Sequence, residues 1–345
     1  MRAILAAALA AASLCAAAQD GALPDYVPSQ RISGMLRVSG NDQMAALMKR
    51  WELGFRKYHP DVRFDEWLKG SGSGMYGLEM RTADIALMGR PINPYERYGV
   101  YERAWVYPVE VEVATGSYAQ AHKSPAYAIF VHKDNPLAKL TLAQLDGIYG
   151  DRRTGGWQKI EWVEQGVARG AEDNIRTWGQ LGLRGEWADK PIHVYGPPGL
   201  YPGGVSYFQT RVMGGADTWN EALQEFDDRT RMLEALAKDR SGIAYAALAY
   251  RNPEVKALAL ADSASGPFVA PTRESVASRA YPLARSAYIY FAPDTPTGDR
   301  AKVDPKIREF LRYVLSREGQ EDVLREGDFL PLTAQVAREQ RRKLD

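Results

Sequence analysis

Met35-Leu36-Arg37-Val38, Ser39-Gly40-Asn41, Gly70-Ser71-Gly72-Ser73-Gly74 and Asp84-Ile85-Ala86-Leu87-Met88, taken in order, decide how this chain folds. The first four residues read as a short strand, and Ser39-Gly40-Asn41 as the turn that ends it. From Asp42 onward Met44, Leu47, Met48, Trp51, Phe55 and Tyr58 recur at helical spacing on one face. Asp42 suits the first turn of that helix, and Pro60 follows its end. Val62-Arg63-Phe64-Asp65-Glu66-Trp67 alternates like a strand. The Gly-Ser run is a second turn, residues 75–81 a short helix, and residues 84–88 a third strand. Strand, small-residue turn and helix in repetition predict an α/β fold with a mostly parallel sheet.

The pattern continues outward. Residues 126–131 predict a strand and 141–149 a helix, whereas 150–188 is polar, Gly- and Trp-rich and shows no clear period. Residues 191–195 read as a strand, followed by the turn 196–204 and a helix from about Val205. A charged amphipathic helix is expected over 227–239, strands at 242–245 and 287–291, and a closing helix over 306–317 with Ile307, Phe310, Leu311 and Val314 facing inward.

The amino terminus has another character. Met1-Arg2 precedes an apolar, Ala-rich run that ends at Ala16-Ala17-Ala18, before polar Gln19-Asp20. This predicts a secretory signal peptide over residues 1–18, cleaved after Ala18, and a periplasmic mature protein. Cys15, the single cysteine, lies inside that segment, and bulky Leu14 before it does not suit a lipidation site. The mature chain therefore offers no thiol nucleophile, disulfide or Cys-ligated metal. His59, His122, His132 and His193 lack the spacing of zinc motifs and read as surface or supporting residues, so no metal and no cofactor are expected. Cleavage leaves about 325 residues, comfortable for two lobes. The formal net charge of +1 lacks the basic surplus of a nucleic-acid binder. A small anion needs only a local cluster of donors.

Three turns supply such clusters: Gly40-Asn41-Asp42-Gln43, Gly70-Ser71-Gly72-Ser73-Gly74 and Pro202-Gly203-Gly204-Val205-Ser206, each feeding a helix. The first N–H groups of a helix are unpaired and carry partial positive charge, which suits an oxyanion. Glycine admits close backbone approach, and Ser, Asn and Gln side chains add donors. The Gly-Ser run lacks the Gly-Lys-Ser/Thr ending of a nucleotide loop, and no acidic residue is placed as dinucleotide folds require. No Gly-x-Ser-x-Gly elbow is present, so catalytic residues are not expected.

In their order these segments resemble the periplasmic phosphate-binding component of phosphate ABC transporters. Gly40-Asn41-Asp42-Gln43-Met44 resembles that family's first loop, Gly70 to Gly74 its Gly-Ser-Gly-Thr-Gly loop, and Asp84-Ile85-Ala86 its Asp-Ile-Ala strand. Gly242-Ile243-Ala244-Tyr245, Tyr281-Pro282-Leu283, Glu318-Gly319-Gln320 and Pro331-Leu332 continue the likeness through the mature chain. The resemblance implies a two-lobed periplasmic-binding-protein fold, type II-like, with mixed, mostly parallel sheets. Lobe 1 would comprise residues 31–122 and 282–345 and lobe 2 residues 123–281, joined by two hinge crossings near 119–126 and 278–288. It further implies a monomer that closes on a small oxyanion without altering it and passes it to an ABC transporter permease.

Carried over residue by residue, the ligand contacts would be Asn41, Gln43, Ser71, Gly72, Ser73, Arg90, Gly203, Gly204, Val205 and Ser206. Arg90 follows the Asp-Ile-Ala strand, and its fork suits an oxyanion, with a surface salt bridge to Glu96 as its other reading. Tyr76, Tyr195, Tyr201 and Tyr207 add aromatic surface near the expected cleft. The third loop departs most from the family: Pro202 and Gly204 replace its Ser and Thr, and its preceding arginine is missing. The alternative function is a sensor or protein-interaction module that no longer binds free phosphate.

Overall fold

The computed structural model describes residues 23–158, 161–197, 203–293 and 303–344. The expected signal peptide, Pro202 and Tyr201 lie outside them. Along the chain run β1 (Gly34–Gly40), α1 (Ala45–Phe55), β2 (Val62–Leu68), α2 (Ser71–Glu79), β3 (Ile85–Met88), α3 (Pro94–Ala104) and β4 (Val109–Thr115). Then follow β5 (Tyr127–His132), β6 (Lys139–Thr141), α4 (Leu142–Tyr149), β7 (Gly156–Gln158), β8 (Glu161–Val163), β9 (His193–Gly196), α5 (Gly204–Val212), β10 (Gln224–Glu225) and α6 (Arg229–Leu236). The chain closes with β11 (Gly242–Ala247), β12 (Val255–Ala257), β13 (Ala259–Ala261), α7 (Arg273–Ala277), β14 (Ser286–Phe291), α8 (Pro305–Val314), α9 (Arg317–Glu326) and α10 (Ala334–Arg341).

Two five-stranded sheets organise these elements, in the orders β2-β1-β3-β14-β4 and β10-β9-β11-β5-β12. In the first, β1 pairs parallel with β2 and β3, and β14 runs antiparallel to β3 and β4. In the second, β9 is parallel to β10 and β11, while β5 is antiparallel to β11 and β12. Both sheets are thus mixed, each with an antiparallel strand inside it. The chain passes from the first sheet to the second over residues 116–126 and returns just before β14.

Each sheet has its own core. On the first, Leu47, Met48, Trp51 and Phe55 of α1 are fully buried against Ile307, Phe310, Leu311 and Val314 of α8. Burying each such side chain contributes roughly 1.5–3 kcal/mol. The Trp51 indole N–H is satisfied by the Gly319 carbonyl at 2.9 Å. Tyr58, expected on this inner face, lies past the helix end and is 38% exposed. On the second sheet, Ile129, Val131, Leu145, Ile148, Phe208 and Ile243 form the corresponding core.

Three expectations are corrected. The helix expected at 75–81 begins four residues earlier, at Ser71, so most of the Gly-Ser run is helical. The single closing helix is three: α8 ends at Val314, Ser316 accepts from Gly319 N–H as the cap of α9, and α10 follows. Helix α3 has no counterpart in the sequence reading. Its start carries the capping-box residues Asn93 and Glu96, and the Asn93 N–H donates to Glu96 Oε2 at 2.9 Å.

Candidate functional site

Because β1, β2 and β3 are parallel, their carboxyl ends emerge at one edge of the first sheet; β9 and β11 do the same in the second. Open α/β sheets leave a crevice outside those ends. Here the turns from both sheets line one cavity of ≈ 820 Å³.

The first turn leaves β1 at Gly40, whose φ is +132°. A Cβ there would lie 2.7 Å from the Leu87 nitrogen and nearer still to its carbonyl oxygen, so only glycine lets β1 pass β3 this closely. Asn41 N–H donates to the Leu87 carbonyl at 2.8 Å, and Asn41 Oδ1 accepts from Gln43 N–H at 3.0 Å. Asn41 and Gln43 both line the cavity.

The second turn leaves β2 at Gly70, in the left-handed region at φ +95°. Ser71 Oγ accepts from Gly89 N–H at 3.1 Å, which leaves its own proton to donate. Ser73 Oγ instead donates back to the Gly70 carbonyl at 2.8 Å. Ser71, Gly72 and Ser73 all line the cavity at the start of α2; Ser73 N–H donates to the Gly70 carbonyl at 3.1 Å, and Ser71 and Gly72 precede the first such bond of the helix.

From the second sheet come Gly203, at φ +84°, and Gly204, the first residue of α5; both line the cavity. Gly204 has no room for a Cβ because the Tyr127 hydroxyl occupies that space. Val205 and Ser206 depart from expectation. The helical turn carries Val205 into the interior, 1% exposed, and Ser206 Oγ donates to Asn93 Oδ1 of the first lobe at 2.7 Å. Neither is among the residues lining the cavity.

Arg90 lines the cavity, but its fork is occupied. Nη1 and Nη2 each lie 2.7 Å from a Glu96 carboxylate oxygen, and the two side chains are 4% and 7% exposed. The pair foreseen on the surface is buried, and the charge expected for a ligand is neutralised in place. Arg285, absent from the sequence reading, lines the same cavity and is 7% exposed. Its Nη2 donates to the Gly89 carbonyl at 2.7 Å. The signal that could have found it was the Tyr281-Pro282-Leu283 segment, which marks the crossing two residues earlier.

Of the expected aromatics, Tyr76 lines the cavity and is 64% exposed. Tyr195 is buried and donates to Asp239 at 2.8 Å; Tyr207 is buried and donates to the Ala284 carbonyl at 2.7 Å. Burial pushes the Tyr207 hydroxyl up to about 12. Trp67, Tyr95, Tyr127, Tyr245 and Tyr250 contribute the remaining aromatic wall. Among the described residues, no group of three or more His, Cys, Asp or Glu side chains could hold a metal ion.

A cavity between two α/β lobes, walled by helix starts and crossed by two chain segments, is the architecture of a clamp for a small solute. The PBP superfamily domain model matches residues 26–318. The chain belongs to the PBP superfamily. The phosphate-binding protein PstS of Pseudomonas aeruginosa is 31% identical over 335 residues, covering 96% of this chain and 94% of its own. Protein SphX of Synechococcus elongatus is 26% identical over 286 residues, covering 82% of this chain and 73% of its own. An ABC-type phosphate transport receptor from Vibrio cholerae superposes with a TM-score of 0.54 at 19% identity, covering 86% of this chain and 99% of its own. PstS from Borrelia burgdorferi superposes with a TM-score of 0.55 at 16% identity, covering 87% and 100%. The two structures share the PBP fold with this chain, and the sequence relatives give it a solute-binding role. Among the described residues no helix is long and apolar enough to cross a membrane.

Proposed function

We propose that this protein receives phosphate, or an oxyanion close to it, in the cleft between its lobes and hands it unchanged to an ABC-type permease. It would do so outside the inner membrane, as a monomer exported by the segment 1–18. The lobes would divide at 122/123 and 281/282. One observation carries the reading: helix starts from opposite sheets, at Ser71-Gly72-Ser73 and at Gly203-Gly204, line a single cavity. The named phosphate-binding relative, similar along nearly the whole chain, supports the choice of anion. Asn41, Gln43 and Ser71 would donate from the first lobe, while Arg90, held by Glu96, would shape the wall.

Calorimetric titration of the mature protein with phosphate, sulfate, arsenate and small phosphate esters tests this. Saturable phosphate binding without turnover is expected. Ser71→Ala, losing a hydrogen bond to a charged group, is expected to weaken it by about 10- to 100-fold. Absence of heat and of thermal stabilisation with every oxyanion would reject the proposal.

A further inference from the structure

We infer that the anion is gripped from the hinge, with Arg285 supplying its counter-charge and Ser124 a hydroxyl donor. This deepens the functional reading above and rests on it. The two residues belong to the two segments that cross between the sheets: Ser124 lies between β4 and β5, and Arg285 immediately precedes β14.

Arg285 is a buried cation of an unusual kind for this molecule. Arg90 is neutralised by Glu96, and Arg153, also enclosed, by Asp146 at 2.6 Å. Arg285 has no carboxylate within ion-pair distance among the described residues. One prong reaches the Gly89 carbonyl, its Nε is enclosed without a hydrogen-bond partner, and its remaining neighbours include the faces of Tyr127 and Tyr207, 5.4 and 5.2 Å away. Burying a charge is strongly unfavourable unless an opposite charge or full hydrogen bonding offsets it. Rings and one carbonyl offset it only in part, and the open side is the cavity that Arg285 lines. An anion there completes the balance.

Ser124 points to the same place independently. It is 1% exposed, its Oγ has no hydrogen-bond partner, and its φ of +47° is uncommon for serine. Strained backbone and an unsatisfied buried hydroxyl together mark a position held for a ligand. Both residues meet at Gly89. Arg285 is bonded to its carbonyl, and a Cβ on Gly89 would come within 2.6 Å of Ser124 Oγ. The absence of a side chain at Gly89 keeps the space between them open. Because points near a hinge axis move least when lobes rotate, this grip exists before closure, and the helix starts of the lobes then close over an anion already seated.

The experiment is phosphate titration of the wild-type chain, Arg285→Gln and Ser124→Gly, with ligand-free melting recorded for each. Gln keeps a donor for the Gly89 carbonyl and removes the charge; Gly relieves the positive φ and removes the hydroxyl. Arg285→Gln is expected to lose about 100-fold in affinity and Ser124→Gly about 10-fold. The ligand-free melting temperature of Arg285→Gln should stay at or above wild type, since the lost charge had no partner. Wild-type affinity in Arg285→Gln overturns the assignment while leaving phosphate binding intact. If Arg285→Gln does not fold, Ser124→Gly decides, and unchanged affinity there overturns it. A wild-type chain silent toward phosphate, sulfate and arsenate removes the functional reading itself, and this inference with it.

Discussion

His59 is 1% exposed, with Nε2 2.7 Å from the Tyr26 hydroxyl, which in turn donates to Glu309 at 2.8 Å. With that proton committed to Glu309, Nε2 carries the hydrogen and Nδ1 is the unprotonated, unpartnered nitrogen. Burial holds the imidazole below its ordinary 6.5, with Glu309 pulling weakly the other way. The folded state therefore favours neutral His59, while the unfolded chain takes up a proton near 6.5. This stabilising contribution is present above that pH and is lost as pH falls below it, at up to about 1.4 kcal/mol per pH unit. Urea unfolding at pH 7.5 and 5.5 should show a shallower decline for His59→Gln than for wild type; equal declines would remove His59 as the cause. The three small-residue turns were legible in the sequence because turn glycines and small donors announce themselves locally, and Asn41, Ser71 and Gly203 from them line the cavity. Of the two readings of Arg90, the pair with Glu96 is the one the fold forms, in the interior rather than on the surface. Whether an arginine is free depends on what its fold sets beside it: Glu96 arrives beside Arg90 with the first turn of α3, and among the described residues no carboxylate lies within ion-pair distance of Arg285.

At the scale of elements, α2 shows why the fold was more legible than its boundaries. Ser71 to Gly77 is so rich in glycine that local propensity argues for loop, yet close packing makes it helix. A Cβ on Gly74 would lie 3.0 Å from Ala86 Cβ and 3.1 Å from Gly40 Cα, and one on Gly77 would strike Ser39. The glycines let α2 press onto β1 and β3, and that burial outweighs their propensity cost. Two substitutions in this helix should therefore differ in sign. Gly74→Ala is expected to destabilise by about 1–3 kcal/mol through overpacking. Gly72→Ala, with nothing within 4 Å of the new methyl, should stabilise by roughly 0.5–1 kcal/mol. Thermal melting of both variants checks the contrast, and equal shifts would refute it. Helices α9 and α10 were missed for a different reason: Ser316 and Gly319 interrupt the amphipathic period, and only the buried N-cap shows that one helix stops so another can start.

At the scale of the molecule, the lobes touch across the cleft through Ser206 Oγ and Asn93 Oδ1 at 2.7 Å. A hydrogen bond of this kind contributes about 0.5–1.5 kcal/mol. Ser206→Ala should shift the ligand-free protein toward the open form, seen as a larger radius of gyration by small-angle scattering. A saturating anion should restore compactness; an unchanged radius without ligand would mean the bridge does not set the resting angle. Ligand that binds only the folded state should also stabilise it by about 2.7 kcal/mol at a hundredfold excess over its dissociation constant.

The position of β14 inside the first sheet sets a timetable for assembly. The second sheet draws all its strands from one continuous stretch, residues 127–257, and can condense once that stretch is free. The first sheet cannot. Its β3 and β4 are joined only through β14, made from residues that follow the entire second lobe. A chain emerging amino end first would thus complete its later lobe before its earlier one, holding β1 to β4 as an unfinished surface in the meantime. Pulse proteolysis during refolding should show protection appearing in residues 127–257 first, with β3 and β4 protected only when β14 has docked.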